Sequence, residues 1–304
     1  KEVLEQIHGE GTAAIEIKSI EENVKEADQK EKVALLELLK PSLRLILIIG
    51  LVLGVLQQIT GINAVYFYAT SIFKQTGMGT NAAFESGVLM SLITVVFTFI
   101  AIFLIDRLGR RPLLLFGIAG IAISLLICGY GFQQATYELS SEEVAQFENF
   151  DATALNPYVG KQYTDDLTFK NDMKEALGSQ TYGKNEGDIL EAATTMNATL
   201  VLVGILGFIA CFAFSLGPVM WVMLSEMYPN KYRGLAIGVI GFVNSFASWV
   251  IQQIFPWELS NLGNAMSFYI FGMIAAVGFF ALLKILPETK GKSLEQIEQE
   301  LVRD

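Results

Sequence analysis

The sequence predicts an all-α membrane protein, a bundle of six transmembrane helices, and three observations predict it. Of 304 residues, 52% are hydrophobic and the mean hydropathy is +0.46. Six apolar runs reach or exceed the ~20 residues that one helical crossing of a bilayer needs. The acidity behind the net charge of -10 gathers in one hydrophilic stretch, 133–196, instead of spreading along the chain. Charge therefore says little about the apolar part and gives no reason to expect a nucleic-acid partner.

Residues 1–40 are rich in Glu, Lys and Leu with apolar positions at helical spacing, which fits short amphipathic helices on the cytosolic surface. The chain opens on KEVLEQIHGE with neither an initiator Met nor a signal peptide, so a segment of something longer is expected. Pro41 opens the first apolar run, 43–73, too long for one straight span and so expected to be broken or tilted. Further spans are expected at 86–105, 113–132, 198–224, 234–257 and 266–286, giving a bundle over 41–286 and a tail over 287–304. Lys and Arg cluster in alternate connections: Arg107, Arg110 and Arg111, then Lys231 and Arg233, then Lys290 and Lys292. The positive-inside rule places those connections and both ends in the cytosol and the 133–196 insertion outside.

The insertion is long for a loop and is expected to carry its own structure. Ser140 with Glu143 and Asp188 with Glu191 have capping-box spacing, and Leu167, Phe169, Met173 and Leu177 before Gly178 suggest a short amphipathic helix. Asn197 with Thr199 forms a glycosylation sequon that abuts a span and is read as chance. Gly50 with Gly54, and Gly234 with Gly238, have the small-xxx-small spacing of close helix packing. Cys128 and Cys211 sit in apolar segments, which excludes a secreted disulfide framework. The lone His8 has no metal-ligand neighbours, and no metal or cofactor is expected.

The chemistry concentrates in QQITGIN, residues 57–63, which puts three amide side chains and a glycine at mid-membrane depth. Lipid offers no hydrogen-bond partners, so these groups must face protein or a watery cavity. At ~100° per residue Gln57 and Asn63 would project about 120° apart on a straight helix. Gly61, helped by Thr60, supplies a place to unwind, and broken helices at the midplane are how transporters assemble substrate sites. Beyond the break Asn63, Tyr66, Phe67 and Thr70 share one face. Amides suit a polyol because each both donates and accepts, and aromatic rings cover its C–H faces. The structural alternative is that the amides stitch neighbouring helices, at ~0.6–2 kcal/mol each. Asn244, Ser248 and Gln252 make a second polar stripe at i, i+4, i+8.

QQITGINAVYFYATSIF, DRLGRRPL, GPVMWVMLSEMYPNKYRG and PETKGKSLEQIE, in this order, resemble the sugar porters of the major facilitator superfamily. The resemblance covers nearly the whole chain but only the C-terminal six-helix half of that twelve-helix fold, with the cytosolic helices before it. It implies a missing N-terminal half of the same polypeptide as partner, with the lipid bilayer and a monosaccharide as the others. It also implies sugar contacts at Gln57, Gln58, Asn63 and Asn244, with Tyr66 on the same cavity wall and Trp221 as an aromatic wall or gate. A cytosolic charge network is implied at Asp106, Arg107, Arg110, Arg111, Glu226, Arg233 and Glu288. The chain departs from the family at Phe67, Thr94 and Ser245, where a tyrosine, an asparagine and a tryptophan are common, so the particular sugar stays open.

Gly217 and Pro218 permit a bend just before Trp221. No Asp, Glu, Lys, Arg or His lies deep in a span, so any proton-coupling acid is expected elsewhere. Enzyme chemistry has no nucleophile, paired-carboxylate or phosphate-loop constellation to stand on. The expectation is transport of a monosaccharide or related polyol by alternating access, with proton coupling left open; the rival is a non-transporting sugar sensor on the same fold.

Overall fold

The computed structural model describes residues 34–76 and 80–292, with 296, 297 and 299. The amphipathic segment expected before residue 34 and most of the tail lie outside the described residues. Among those described, six helical stretches are long and apolar enough to cross a membrane: Pro41–Lys74, Phe84–Leu108, Arg110–Gln133, Ala198–Met227, Asn230–Asn261 and Gly263–Ile285.

The first stretch is two helices, α1 (Arg44–Ile59) and α2 (Ile62–Lys74), after 3-10 turns over Leu35–Leu39 and Pro41–Leu43. The break falls where the sequence predicts it. Gly61 sits in the left-handed region at φ 84°, and a Cβ there would lie 2.8 Å from the Phe271 ring. Both facts demand glycine. Next come α3 (Thr80–Leu108) and α4 (Arg110–Gln133). The fourth stretch is also broken, into α8 (Ala198–Phe214) and α9 (Leu216–Met227), after the insertion that holds α5 to α7. Here the break is at Ser215, two residues before the expected Gly217–Pro218 bend. Pro218 has no N–H to give the Phe214 carbonyl, so the ladder fails one turn ahead of the proline. The last two stretches are α10 (Asn230–Asn261) and α11 (Gly263–Ile285). Since α10 runs past Pro256, Glu258 lies on its last turn.

Glycine brings α1 against α10. A Cβ on Gly50 or Gly54 would come within 2.5 Å and 2.9 Å of the Ile240 side chain. Gly234 and Gly238 differ from expectation and meet nothing within 4 Å among the described residues. The contact row of α10 runs through Ala236, Ile240 and Asn244, and a two-residue offset turns the glycines about 200° away from it. Cys128 is buried and Cys211 half-buried, both as free thiols.

Between α4 and α8 the insertion forms a cap with its own apolar cluster, centred on Tyr137, Phe169, Met173 and Tyr182. Its chain leaves and re-enters the bundle through a two-stranded antiparallel ladder. Strand β1 (Thr136–Tyr137) pairs with β2 (Thr194–Thr195), Thr136 opposite Thr195. Ser140 and Glu143 form the predicted reciprocal cap of α5 (Ser141–Ala145). The amphipathic helix is α6 (Asp166–Leu177), ended by Gly178 at φ 76°. Asp188 and Glu191 start nothing, because they lie inside the continuous α7 (Ser179–Ala193). Asn197 caps α8 by accepting from the Leu200 N–H at 3.1 Å.

Gly61→Ala is expected to lower the thermal unfolding midpoint in lipid or detergent, through strain of about 1–3 kcal/mol. Gly234→Ala, which faces open space in a helix, should leave the midpoint unchanged or raise it. Equal behaviour of the two would contradict a left-handed requirement at Gly61.

Candidate functional site

The three amides of QQITGIN and Asn244 form one hydrogen-bonded relay across α1, α2, α9 and α10. Two backbone carbonyls, which can only accept, set its direction. Gln57 Nε2 donates to the Leu216 carbonyl at 2.7 Å, at the broken start of α9. Asn244 Nδ2 donates to the Gly54 carbonyl at 2.8 Å. Gln57 Oε1 is thereby turned to accept from Asn244 Nδ2 at 2.8 Å and Gln58 Nε2 at 3.2 Å. Gln58 Nε2 also donates to Asn244 Oδ1 at 3.1 Å. Gln58 Oε1 must then face outward along the relay, where Asn63 Nδ2 donates to it at 2.8 Å. The same Asn63 nitrogen donates to Ser248 Oγ at 2.7 Å. Asn63 Oδ1 is left at the end, accepting from no group among the described residues.

Beside this terminus lies a cavity of about 600 Å³. Gln57, Gln58, Asn63, Tyr66 and Trp221 all line it, with Gly217 and Pro218 at the kink below. Asn244 does not: it is buried behind the two glutamines. Of the face predicted on α2, Asn63 and Tyr66 reach the cavity, whereas Phe67 points away and is 72% exposed.

The amides thus divide in two. Every donor of Gln57 and Asn244 is engaged with protein, so these two hold helices together. Gln58 Oε1 keeps one lone pair and Asn63 Oδ1 keeps both, next to the void. What the site offers at this point is acceptors, and a hydroxyl donor fits them.

Two residues missed by sequence reading, Ser91 and Thr98, complete the wall together with Thr94, which the sequence marked only as a departure from the family. Ser91, Thr94 and Thr98 of α3 line the cavity opposite Asn63. Thr94 Oγ1 donates to the Met90 carbonyl at 2.9 Å and is paired with the Tyr66 hydroxyl. Their i, i+3, i+7 spacing was the available signal. It is weak because serine and threonine commonly bond their own helix carbonyls, as Ser91 does to Gly87 at 3.2 Å.

The charged residues gather at the end of the bundle opposite the cap. Arg110 pairs with Glu226 at 2.7 Å and Asp106 at 3.2 Å, and Thr289 Oγ1 donates to Glu226 at 2.7 Å. Glu288 accepts from the backbone N–H groups of Arg110 and Arg111, each at 3.2 Å, and so caps α4 from across the chain. That capping explains Gly109, which sits at φ 98° and whose Cβ would lie 2.8 Å from the Glu288 carboxylate. Arg107 joins through its carbonyl, which accepts from Lys290 Nζ. Arg233 stands apart: its Nε donates to the Tyr228 carbonyl at 3.2 Å, and it makes no ion pair among the described residues.

Two stability measurements check this division of labour. Gln57→Ala and Asn244→Ala should each destabilise the detergent-solubilised protein by about 0.6–2 kcal/mol, and Asn63→Ala by less. Glu226→Gln should destabilise by about 1.5–3 kcal/mol, because it weakens a half-buried two-pronged contact with Arg110. Identical melting of all four variants and the wild type would show that these contacts do not hold the bundle.

The profile of the family described as "Sugar (and other) transporter" matches residues 1–147 and 180–301. The chain is 32% identical over 297 residues to the arabinose-proton symporter of Bacillus subtilis (strain 168), covering 98% of this chain and 51% of that protein. Identity and coverage are the same for the major myo-inositol transporter IolT of that organism. Among solved structures, the proton:xylose symporter XylE bound to 6-bromo-6-deoxy-D-glucose aligns at TM-score 0.64 and 25% identity, over 98% of this chain and 50% of that one. The chain spans about half the length of these relatives. With six apolar helices arranged as in a major facilitator symporter and the family profile running along most of its length, the chain belongs to the sugar transporter family of the major facilitator superfamily.

Proposed function

We propose that this chain supplies the amide-lined half of a carrier that moves a monosaccharide or related polyol across a membrane by alternating access. The observation that carries the reading is the relay terminus: Asn63 Oδ1 and Gln58 Oε1 present unfilled acceptor positions to a cavity beside a helix break. An ordered amide stitch with no ligand would have no reason to end on an open oxygen facing a void. Gln58, Asn63 and Tyr66 are the substrate contacts in this reading, with Trp221 as an aromatic wall. Gln57 and Asn244 act behind them, by fixing which way Gln58 and Asn63 face.

The second half of the cavity comes from another six-helix unit of the same polypeptide, and the bilayer surrounds both. The arginine-rich end with Asp106, Arg107, Arg110, Arg111, Glu226, Arg233 and Glu288 faces the cytosol, and the cap faces outside. Relatives named as proton symporters for arabinose and inositol transporters support a polyol cargo and coupling to protons. Among the described residues no Asp, Glu, His, Lys or Arg lines the cavity, so any acid that couples transport to protons lies outside this wall. The Arg110–Glu226 pair holds the cytosolic end closed, and Glu226→Gln should raise labelling, from the cytosolic side, of a cysteine introduced in the cavity wall by Ser91→Cys.

Uptake of labelled pentoses, hexoses and inositol into proteoliposomes, with and without a pH gradient, tests cargo and coupling together. Asn63→Ala should lower apparent affinity roughly ten- to hundredfold for the transported sugar, the loss expected when a recognised hydroxyl has no acceptor. Unchanged uptake by Asn63→Ala and Gln58→Ala would contradict substrate contact, and sugar binding without any uptake would favour a sensor.

A further inference from the structure

The outer end of α2 is gripped by the cap through a buried polar node. Lys170 of α6 is only 5% exposed, Gln75 just beyond α2 is 7% exposed and Asn264 at the start of α11 is 1% exposed. Lys170 Nζ donates to Gln75 Oε1 at 2.9 Å and to Asp166 Oδ2 at 3.2 Å. Asn264 Nδ2 donates to the same two oxygens, at 2.7 Å and 3.0 Å, and its backbone N–H donates to Asp166 Oδ2 at 3.2 Å. Gly263 stands at φ 79°, and a Cβ there would lie 2.4 Å from Asp166 Oδ1, so both the backbone and the close approach call for glycine. The cap is therefore seated on the N-terminus of α11 through Asp166. It is also tied to α4 and α8 by the β1–β2 ladder between them.

Toward α2 the attachment has another character. Gln75 meets the cap by accepting a single hydrogen bond from an ammonium group, and Lys74 packs beside Gly187 of α7, where a Cβ would lie 3.3 Å from Lys74 Cδ. The cap keeps an apolar cluster separate from that of the bundle. Next to the node is a cavity of about 200 Å³ bordered by Tyr68, Ser71, Gln75, Lys170, Glu186 and Ser260. Within the node itself Asn264 Oδ1 is buried with no hydrogen-bond partner among the described residues. An apolar, close-packed seam would weld the two parts. A polar, incompletely satisfied one can open, because water replaces each lost partner once the junction is exposed.

The other end of α2 is the Gly61 break, one residue before the helix that carries Asn63 and Tyr66. From these two ends we propose that Lys170 and Gln75 form a latch: the cap holds the outer end of α2 against α11, and its release lets α2 swing about Gly61 to change access to the cavity. Lys170 is then a positioning residue that acts on the site through α2. The mechanical claim stands on the cap junction; its bearing on sugar access rests on the function proposed above.

Two experiments on the natural gene product in lipid test it. Lys170→Met keeps the length and removes the donor. Amide hydrogen exchange over residues 64–74 should then speed up about tenfold while α4 and α8 keep their protection. Unchanged exchange in α2, or faster exchange throughout the bundle, overturns the latch. This comparison needs no sugar, so it decides the latch independently of what the protein carries. In the second, cysteines at positions 74 and 187 (K74C with G187C) are joined by a short cleavable tether. Uptake should stop, sugar binding should persist, and cleavage should restore transport. Unchanged uptake with the tether in place overturns the proposal.

Discussion

The structure depends on one constraint: amide side chains placed in the middle of an apolar bundle must each find partners, and two backbone carbonyls decide which way all of them face. Leu216 O and Gly54 O can only accept, so Gln57 and Asn244 must turn their nitrogens toward them. Each amide then orients the next, until Asn63 is left with its oxygen toward the cavity. Leu216 opens α9 just after the break at Ser215, where Pro218 leaves the Phe214 carbonyl without its N–H, and Gln57 reaches the Leu216 carbonyl at that break. A proline, two glycines and four amides thus act as one unit. Gly54 lets α10 approach, Gly61 lets α2 turn, and the relay fills the seam between them.

The two ends of the bundle manage charge in different ways. At one end Glu226 and Glu288 are held by a guanidinium and by the free N–H groups at the start of α4, so helix dipole and ion pair act together. At the other, a single buried ammonium is shared between the cap and α2. Neither arrangement places a charge in the cavity wall. In the function proposed above, the wall recognises by hydrogen-bond direction, which suits a neutral polyhydroxylated cargo that must also leave.

Much of this was legible in the sequence. The six spans, the break at Gly61, the Gly50–Gly54 seam and the Ser140–Glu143 cap are each governed by nearby residues, and local rules find them. The site was legible as a set of residues but not as a division of roles. Gln57 and Asn63 look alike in QQITGIN, yet the carbonyl that makes Gln57 structural belongs to Leu216, 159 residues away. The same distance hid the reason for Gly109, whose neighbour Glu288 comes from beyond the last span. Gly234 and Gly238 carry a packing motif that the rotation of α10 turns away from its neighbours among the described residues. Arg233, grouped with the charge cluster by resemblance, bonds a carbonyl of its own turn.

The central claim is that the relay ends in an acceptor. It is tested most directly by measuring sugar affinity across a series in which each hydroxyl is replaced in turn by hydrogen or by fluorine. A fluorine can still accept weakly but cannot donate. The account predicts one position where both replacements weaken binding equally, by about tenfold, with the effect lost in Asn63→Ala. Retention of affinity by every fluoro sugar would mean that the protein donates at this site, and would contradict the orientation of the relay.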